Sequence, residues 1–134
     1  MRFQIQFSSG KSVYLQLVDQ VKTAIASGAL RPGEALPSIR PLAEELRVNR
    51  NTVAKAYGEL EAQDVIETIA GKGCFVRSGS SPLRKDARLR RLVPAVDEAA
   101  VAAHHLQISR AEFLDLAADR FDRLTVGRER ALQE

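Results

Sequence analysis

Apolar residues recur at helical spacing in three stretches of the first half of the chain. Residues 11–27 form one such stripe, which Ser12 can begin as an N-cap and Gly28 can end. A short helix is predicted over residues 38–46, and a second one runs from 49 to about 63. Because only a few residues join these last two helices, the pattern predicts a helix-turn-helix whose first helix holds the second outward.

Two β-prone runs follow this helix pair. Residues 64–69 and 74–77 flank a loop of four residues, 70–73, that contains two glycines, and together they predict a hairpin. The connection 28–37, which precedes the helix pair, holds two Gly and two Pro and is predicted to be rich in turns. A helix-turn-helix followed directly by a hairpin indicates a winged helix.

The second half of the chain is predicted to be helical after a small, polar linker at residues 78–82. Apolar residues then lie three and four positions apart over 89–103, where Pro94 must begin, kink or split the helix. A second apolar stripe follows a capping box at 109–112, and the polar tail 127–134 is expected to fray. The predicted fold class is therefore mainly α with a small β-hairpin wing.

Composition and charge narrow the class of protein without identifying a partner. The chain has 134 residues, 45% hydrophobic and 28% charged, which suits one compact domain or a small domain with an extension. No run approaches the roughly 18 apolar residues of a membrane span, and the first residues lack the apolar region of a secretory signal. We therefore expect a soluble, cytoplasmic protein with no membrane partner. The net charge of +3 is only mildly basic.

Catalytic and metal-binding chemistry finds little support in the sequence. Cys74 is the only cysteine, lies in a predicted strand and is interpreted as an inert thiol. His104 and His105 are adjacent, so on a helix they do not face one point and make a poor metal pair. No convincing Ser/His/Asp set is present. The sequence thus predicts no enzyme, no catalytic residue, no metal and no cofactor.

The helix that begins at Asn49 has an outward face suited to reading DNA. Opposite its apolar stripe, or flanking that outward face, lie Arg50, Asn51, Thr52, Ala54, Lys55 and Gly58. Arginine can bind guanine bidentately, asparagine can bind adenine, and threonine and lysine can bind phosphates, while the two small residues permit close approach. The alternative is an ordinary solvated helix face, because these polar residue types are common on surfaces.

Two further places could contact DNA. Ser38 and Arg40 open the preceding helix, where free backbone N–H groups favour a phosphate; simple capping by the serine is the alternative. Gly71 and Lys72 lie at the hairpin tip, where flexible backbone and one cation suit a minor groove. Turn geometry alone would also explain the glycine.

An ordered series of motifs carries a family resemblance: VYLQL at 13–17, IASGALRPGEALPSIR at 25–40, VNRNTV at 48–53 and GKGCFV at 71–76. Over residues 10–77 the chain resembles the GntR-family winged helix-turn-helix, and within it the YtrA subfamily. The resemblance implies a dimeric bacterial transcription factor, usually a repressor, on an inverted-repeat operator. It also implies DNA contacts at Arg40, Arg50 and Thr52 and a wing tip at Gly71. Some relatives carry an arginine where this chain has Ala54, followed by Lys55, so the resemblance does not fix the base preference.

The sequence thus divides into a DNA-binding domain at 1–77, the linker 78–82 and a helical segment at 83–134. The last segment is too short for an enclosed ligand domain, and its apolar stripes cannot all be buried within it, so we expect it to form a homodimer. We also keep an unidentified small-molecule effector as a further candidate partner. The alternative function is a winged-helix protein-interaction module without specific DNA binding, although exposed Arg50, Asn51 and Lys55 argue against it. Salt-dependent binding to duplex DNA separates the two.

Overall fold

The computed structural model describes residues 1–79, 81 and 83–133. Its elements are α1 (Val13–Ser27), α2 (Ile39–Leu46), α3 (Arg50–Ala62), β1 (Ile66–Ile69), β2 (Gly73–Val76), α4 (Lys85–His105) and α5 (Arg110–Gln133). The predicted fold class, mainly helical with a small β-hairpin wing, is confirmed. Two compact units are present: residues 1–79 together with 125–133, and the described residues between 81 and 124.

Helix α1 supplies one wall of the core of the first unit. Its apolar stripe buries Leu17, Val18, Val21 and Ala24, and the helix ends at Gly28, whose φ of 86° is left-handed. A left-handed C-cap is the conformation that glycine adopts without steric cost. The predicted stop at Gly28 and the predicted N-cap position at Ser12 are both confirmed, although the Ser12 side chain makes no capping hydrogen bond.

Helices α2 and α3 form the predicted helix-turn-helix. The side-chain Oδ1 of Asn49 accepts a hydrogen bond from the backbone N–H of Asn51 at 2.7 Å, so the predicted N-cap of α3 is confirmed. On the inner face of α3, Val53, Ala56 and Leu60 are fully buried. This helix therefore packs by one face and presents the other to solvent.

Tyr57 ties α3 to the start of α2. The tyrosine is 4% exposed, and its hydroxyl donates a hydrogen bond of 2.6 Å to the carbonyl oxygen of Pro37. Burial, with a smaller contribution from the nearby thiol of Cys74, raises the pKa of Tyr57 well above its usual value. The neutral donor form is thereby kept, and α2 is fixed to the helix it must support.

We expect Tyr57→Phe to lower the free energy of unfolding by about 1 kcal/mol, because it removes this hydrogen bond while keeping the ring in the core. Urea denaturation followed by circular dichroism measures the change. Tyr14→Phe is the matched control, because the Tyr14 hydroxyl makes no hydrogen bond to any described residue. Equal stability of the Tyr57→Phe variant and the wild type would contradict the proposed anchoring.

The hairpin is antiparallel, with Ile66 opposite Val76 and Ile69 opposite Gly73. The prediction of a four-residue loop was therefore wrong: Gly73 belongs to β2, and three residues form the turn. The connection before α2 also pairs with β2, since Val76 N–H donates to the Glu34 carbonyl at 2.8 Å and Gly33 N–H donates to the Val76 carbonyl at 2.9 Å. The turn-rich connection thus supports the wing along its second edge.

The N-terminal segment is held against α1 by two glutamine side chains. The Gln16 amide bonds both the N–H and the carbonyl of Gln6, at 2.9 and 3.0 Å, and Gln20 does the same for Gln4. Side-chain amides at i and i+4 on a helix lie on one face, so they can replace the partner strand that an extended segment needs. Phe3 is thereby placed in the core.

The second unit consists of α4 and the first part of α5. Helix α4 runs from Lys85 to His105 with Pro94 inside it, so the proline neither begins nor splits the helix. The capping box that begins α5 is confirmed by reciprocal hydrogen bonds between Ser109 and Glu112, which also hold the pKa of the Glu112 carboxyl below its usual value. Two positions of the predicted linker, Ser80 and Pro82, lie outside the described residues.

The C-terminal end of α5 differs from the expectation of a frayed tail. The helix continues to Gln133, and residues 125–133 belong to the first unit; Glu134 lies outside the described residues. The prediction of fraying was wrong because it weighed only the polarity of the tail. It did not allow for packing of this segment through backbone and small side chains.

Candidate nucleic-acid interface

The first two turns of α3 present polar side chains on the face opposite the core. Arg50, Asn51 and Lys55 are exposed and Thr52 is half-buried, whereas Val53 and Ala56 between them are buried. This is the division of faces predicted from the sequence. Small Ala54 and Gly58 are exposed on the same outward side, so a bulky ligand can approach the helix closely.

Arg50 and Asn51 lie at the start of α3, and their side-chain polar groups are available to a ligand. Within the described part of the chain, the Asn51 backbone N–H bonds to the cap residue Asn49, but its side-chain amide makes no hydrogen bond, and the Arg50 guanidinium has no acid partner. Exposed donors of this kind can bind base edges without first breaking an intramolecular contact.

Lys55 takes part in a contact that the sequence did not predict. Its Nζ lies 3.9 Å from the centroid of the Tyr14 ring, a cation–π contact between α3 and the first turn of α1. Neither residue type signals such a pairing, because the two lie 41 positions apart in the sequence. The contact places the lysine charge against the first turn of α1.

Ser38 and Arg40 mark the start of α2. Ser38 has the extended backbone of an N-cap, yet its side chain makes no capping hydrogen bond, so the simple capping alternative is not what the hydroxyl does. Arg40 is exposed one residue into the helix. The arrangement leaves a hydroxyl, a guanidinium and the positive end of the helix dipole available to an anion.

The wing tip carries Gly71 and Lys72, both exposed. Gly71 has a φ of 76°, in the region that favours glycine, and the Lys72 backbone N–H closes the turn by donating to the Ile69 carbonyl at 2.9 Å. Turn geometry therefore accounts for the glycine, while the lysine side chain makes no hydrogen bond or ion pair to any described residue. The tip offers one cation on a compact turn.

All eight candidate residues lie in one unit, on three elements that share its core. Arg40 is on α2, Arg50 and its neighbours are on α3, and Lys72 is on the hairpin, so the cations come from separate elements with a common support. Among the described residues, no cluster of three His, Cys, Asp or Glu side chains could hold a metal ion. None of the described helices is long and apolar enough to cross a membrane.

Comparison with known proteins identifies a family to which this chain is similar. A family model described as "Bacterial regulatory proteins, gntR family" matches residues 13–76. The HTH-type transcriptional repressor YtrA of Bacillus subtilis is 32% identical over 102 residues, which cover 76% of this chain and 78% of that protein. The HTH-type transcriptional regulator Rv1152 of Mycobacterium tuberculosis is 42% identical over 73 residues, covering 54% of this chain and 60% of that protein.

Solved structures extend the similarity beyond the matched domain. A transcriptional antiterminator from Listeria monocytogenes EGD-e has a TM-score of 0.76 at 34% identity and covers 90% of both chains. YtrA from Sulfolobus acidocaldarius, described as a GntR-family transcription factor, has a TM-score of 0.59 at 34% identity and covers 75% of this chain and 97% of that one. The first of these similarities includes most of the helices that follow the wing.

Proposed function

The chain belongs to the GntR family of bacterial regulatory proteins, and from this premise we propose that it is a homodimeric repressor that binds an inverted-repeat operator. The observation that carries the proposal is the outward face of α3, where Arg50 and Asn51 are exposed and their side chains make no hydrogen bond or ion pair to any described residue. A helix of this kind fits the major groove when its partner helix packs behind it. We propose DNA binding rather than catalysis, in the cytoplasm where bacterial DNA lies.

The proposed contacts divide into two kinds. Arg50 and Asn51 read bases, because guanidinium and amide groups match the donor and acceptor pattern of guanine and adenine in the major groove. The positioning of the DNA backbone is assigned to Ser38, Arg40, Thr52, Lys55 and Lys72, with Gly71 giving the wing its compact tip. The assignment is supported by the exposure of each of these side chains except Thr52, which is half-buried.

The proposed dimer rests on the apolar face of α4. Leu89, Leu92, Val93 and Val96 lie at helical spacing and are 55%, 55%, 50% and 47% exposed, and no side chain of α4 is buried. A continuous apolar stripe of this kind is typical of an interface. In a two-fold dimer the same stripe on each copy covers the other, and two DNA-binding units are then available to two half-sites.

We expect Lys72→Ala to weaken binding to all duplexes by a similar factor and to reduce the slope of log affinity against log salt by about one unit. The reason is that a wing cation on a phosphate releases one counterion and carries no base information. Fluorescence anisotropy titrations at several salt concentrations measure the slope. Lys22→Ala, on a lysine of α1 that bonds to Gln63 at 2.9 Å, is the matched control. A slope equal to that of the wild type would contradict a contact between Lys72 and a DNA phosphate.

The proposed function is tested by selecting bound sequences from random duplexes with the full chain. We expect an inverted repeat whose half-sites are one helical turn apart or a multiple of it. A non-palindromic site bound by a monomer would contradict the dimer. Recovery of no preferred sequence would instead favour the protein-interaction module.

A further inference from the structure

Two glycines bring the end of α5 into backbone contact with the end of α1. A Cβ added to Gly28 would lie 2.6 Å from the Ala131 Cβ and 2.7 Å from the Arg128 Cα. A Cβ added to Gly127 would lie 3.0 Å from the carbonyl oxygen of Ser27. The distances at Gly28 are shorter than real Cβ atoms show, and the distance at Gly127 is tighter than most Cβ contacts, so the two segments pack closely through their backbones.

The contact accounts for the glycine at 127 and adds a second reason for the glycine at 28. Gly127 lies inside α5, where glycine is the least favourable residue after proline, and a side chain there would crowd the carbonyl oxygen of Ser27. Gly28 is needed for its left-handed φ in any case, but Gly33 shares that conformation, with a φ of 81°, and a Cβ there meets nothing within 4 Å. Steric exclusion is thus specific to the place where α5 docks.

The docked segment touches the first residues of the connection that leads to the proposed DNA contacts. From Gly28 the chain continues through Gly33 and Glu34, which pair with Val76 of the wing, and then reaches Ser38 at the start of α2. The last residues of α5 are therefore attached to the same packed unit that carries the wing and α2.

We propose that residues 125–133 form a latch on the end of α1 and that this latch sets the spacing at which a dimer reads two half-sites. The inference rests on the proposed function, because spacing has meaning only for a dimer on paired half-sites. Helix α5 contributes its earlier residues to the unit that carries the proposed dimer interface and its last residues to the DNA-binding unit. Residues 125–133 are therefore the part of α5 that packs on the DNA-binding unit.

The test compares Gly127→Leu and Gly28→Ala with Gly33→Ala in the full chain. Amide hydrogen exchange over residues 125–133 should accelerate in the first two variants and stay at the wild-type rate in the third. The probes are duplexes with one half-site, with two half-sites at the selected spacing, and with that spacing lengthened by two base pairs. We expect single half-site affinity to be unchanged, whereas the preference for the selected spacing should fall by about two- to thirtyfold in the latch variants.

Two results would contradict the proposed role of residues 125–133 in half-site spacing. One is fast exchange over residues 125–133 together with an intact spacing preference, and the other is slow exchange in Gly127→Leu, which would mean that a side chain fits against Ser27. Gly28→Ala tests the same contact with a smaller side chain, in case the leucine variant does not fold. Gly33→Ala measures the effect of an alanine at a left-handed φ where no such contact exists. If the wild type itself shows no preference for paired half-sites, the proposed function fails and the role in spacing fails with it, while the exchange rates still test whether residues 125–133 pack on the end of α1.

Discussion

The double variant Leu92→Glu/Val96→Glu is expected to be monomeric and to lose about a hundredfold or more of its affinity for a paired operator. Both side chains lie on the apolar stripe of α4 and are about half exposed in the single chain. In a dimer they would be covered, and a carboxylate placed there would lose its hydration without gaining a partner. Analytical ultracentrifugation measures the oligomeric state, and anisotropy titration measures the affinity.

The matched control is Val101→Glu/His105→Glu, which adds two carboxylates at the same i,i+4 spacing to the opposite face of the same helix. Both residues are exposed, and at about 100° per residue they lie about 140° or more from Leu92 and Val96. This control should remain dimeric and bind as the wild type does. If the Leu92→Glu/Val96→Glu variant were dimeric, the dimer interface would not be the apolar stripe of α4. Single half-site affinity should be the same in all these chains, because the reading helix is untouched.

Local patterns were sufficient for most of the DNA-binding unit. The period of 3.6 residues in α1 and α3 identified the buried faces, and Asn49 and Gly28 marked helix ends because capping chemistry is set by one or two residues. The outward face of α3 followed from the same period. These features depend on neighbours within a turn of the helix, so the sequence contains the information directly.

Contacts between distant segments were not predictable in the same way. The pairing of Gln6 with Gln16, the contact of Lys55 with Tyr14 and the pairing of Glu34 with β2 each join segments whose local patterns are complete without them. The packing of Gly127 on Ser27 belongs to this class, although one signal was present. Glycine is unfavourable inside a helix, so a packing reason for Gly127 was one interpretation, and it would have argued against a frayed tail.

Arg50→Ala is expected to reduce discrimination between the operator and random duplex by about 1 to 3 kcal/mol, which is roughly five- to 150-fold. Arg50 is exposed at the first position of α3, and the guanidinium has no acid partner among the described residues. If it binds a guanine bidentately, its removal leaves two base acceptors unpaired in the operator and costs nothing on random sequence beyond a lost charge. Parallel titrations of operator and random duplex at one salt concentration give the ratio.

Arg40→Ala separates base reading from general attraction, because it removes the same charged group from α2, where only phosphate contact is proposed. It should weaken both duplexes by a similar factor and leave their ratio unchanged. Arg50→Lys keeps the charge of α3 but loses the planar fork of donors, so it should restore the salt dependence while discrimination stays low. If Arg50→Ala and Arg40→Ala changed the ratio equally, Arg50 would be a backbone contact, and the reading of bases would pass to Asn51.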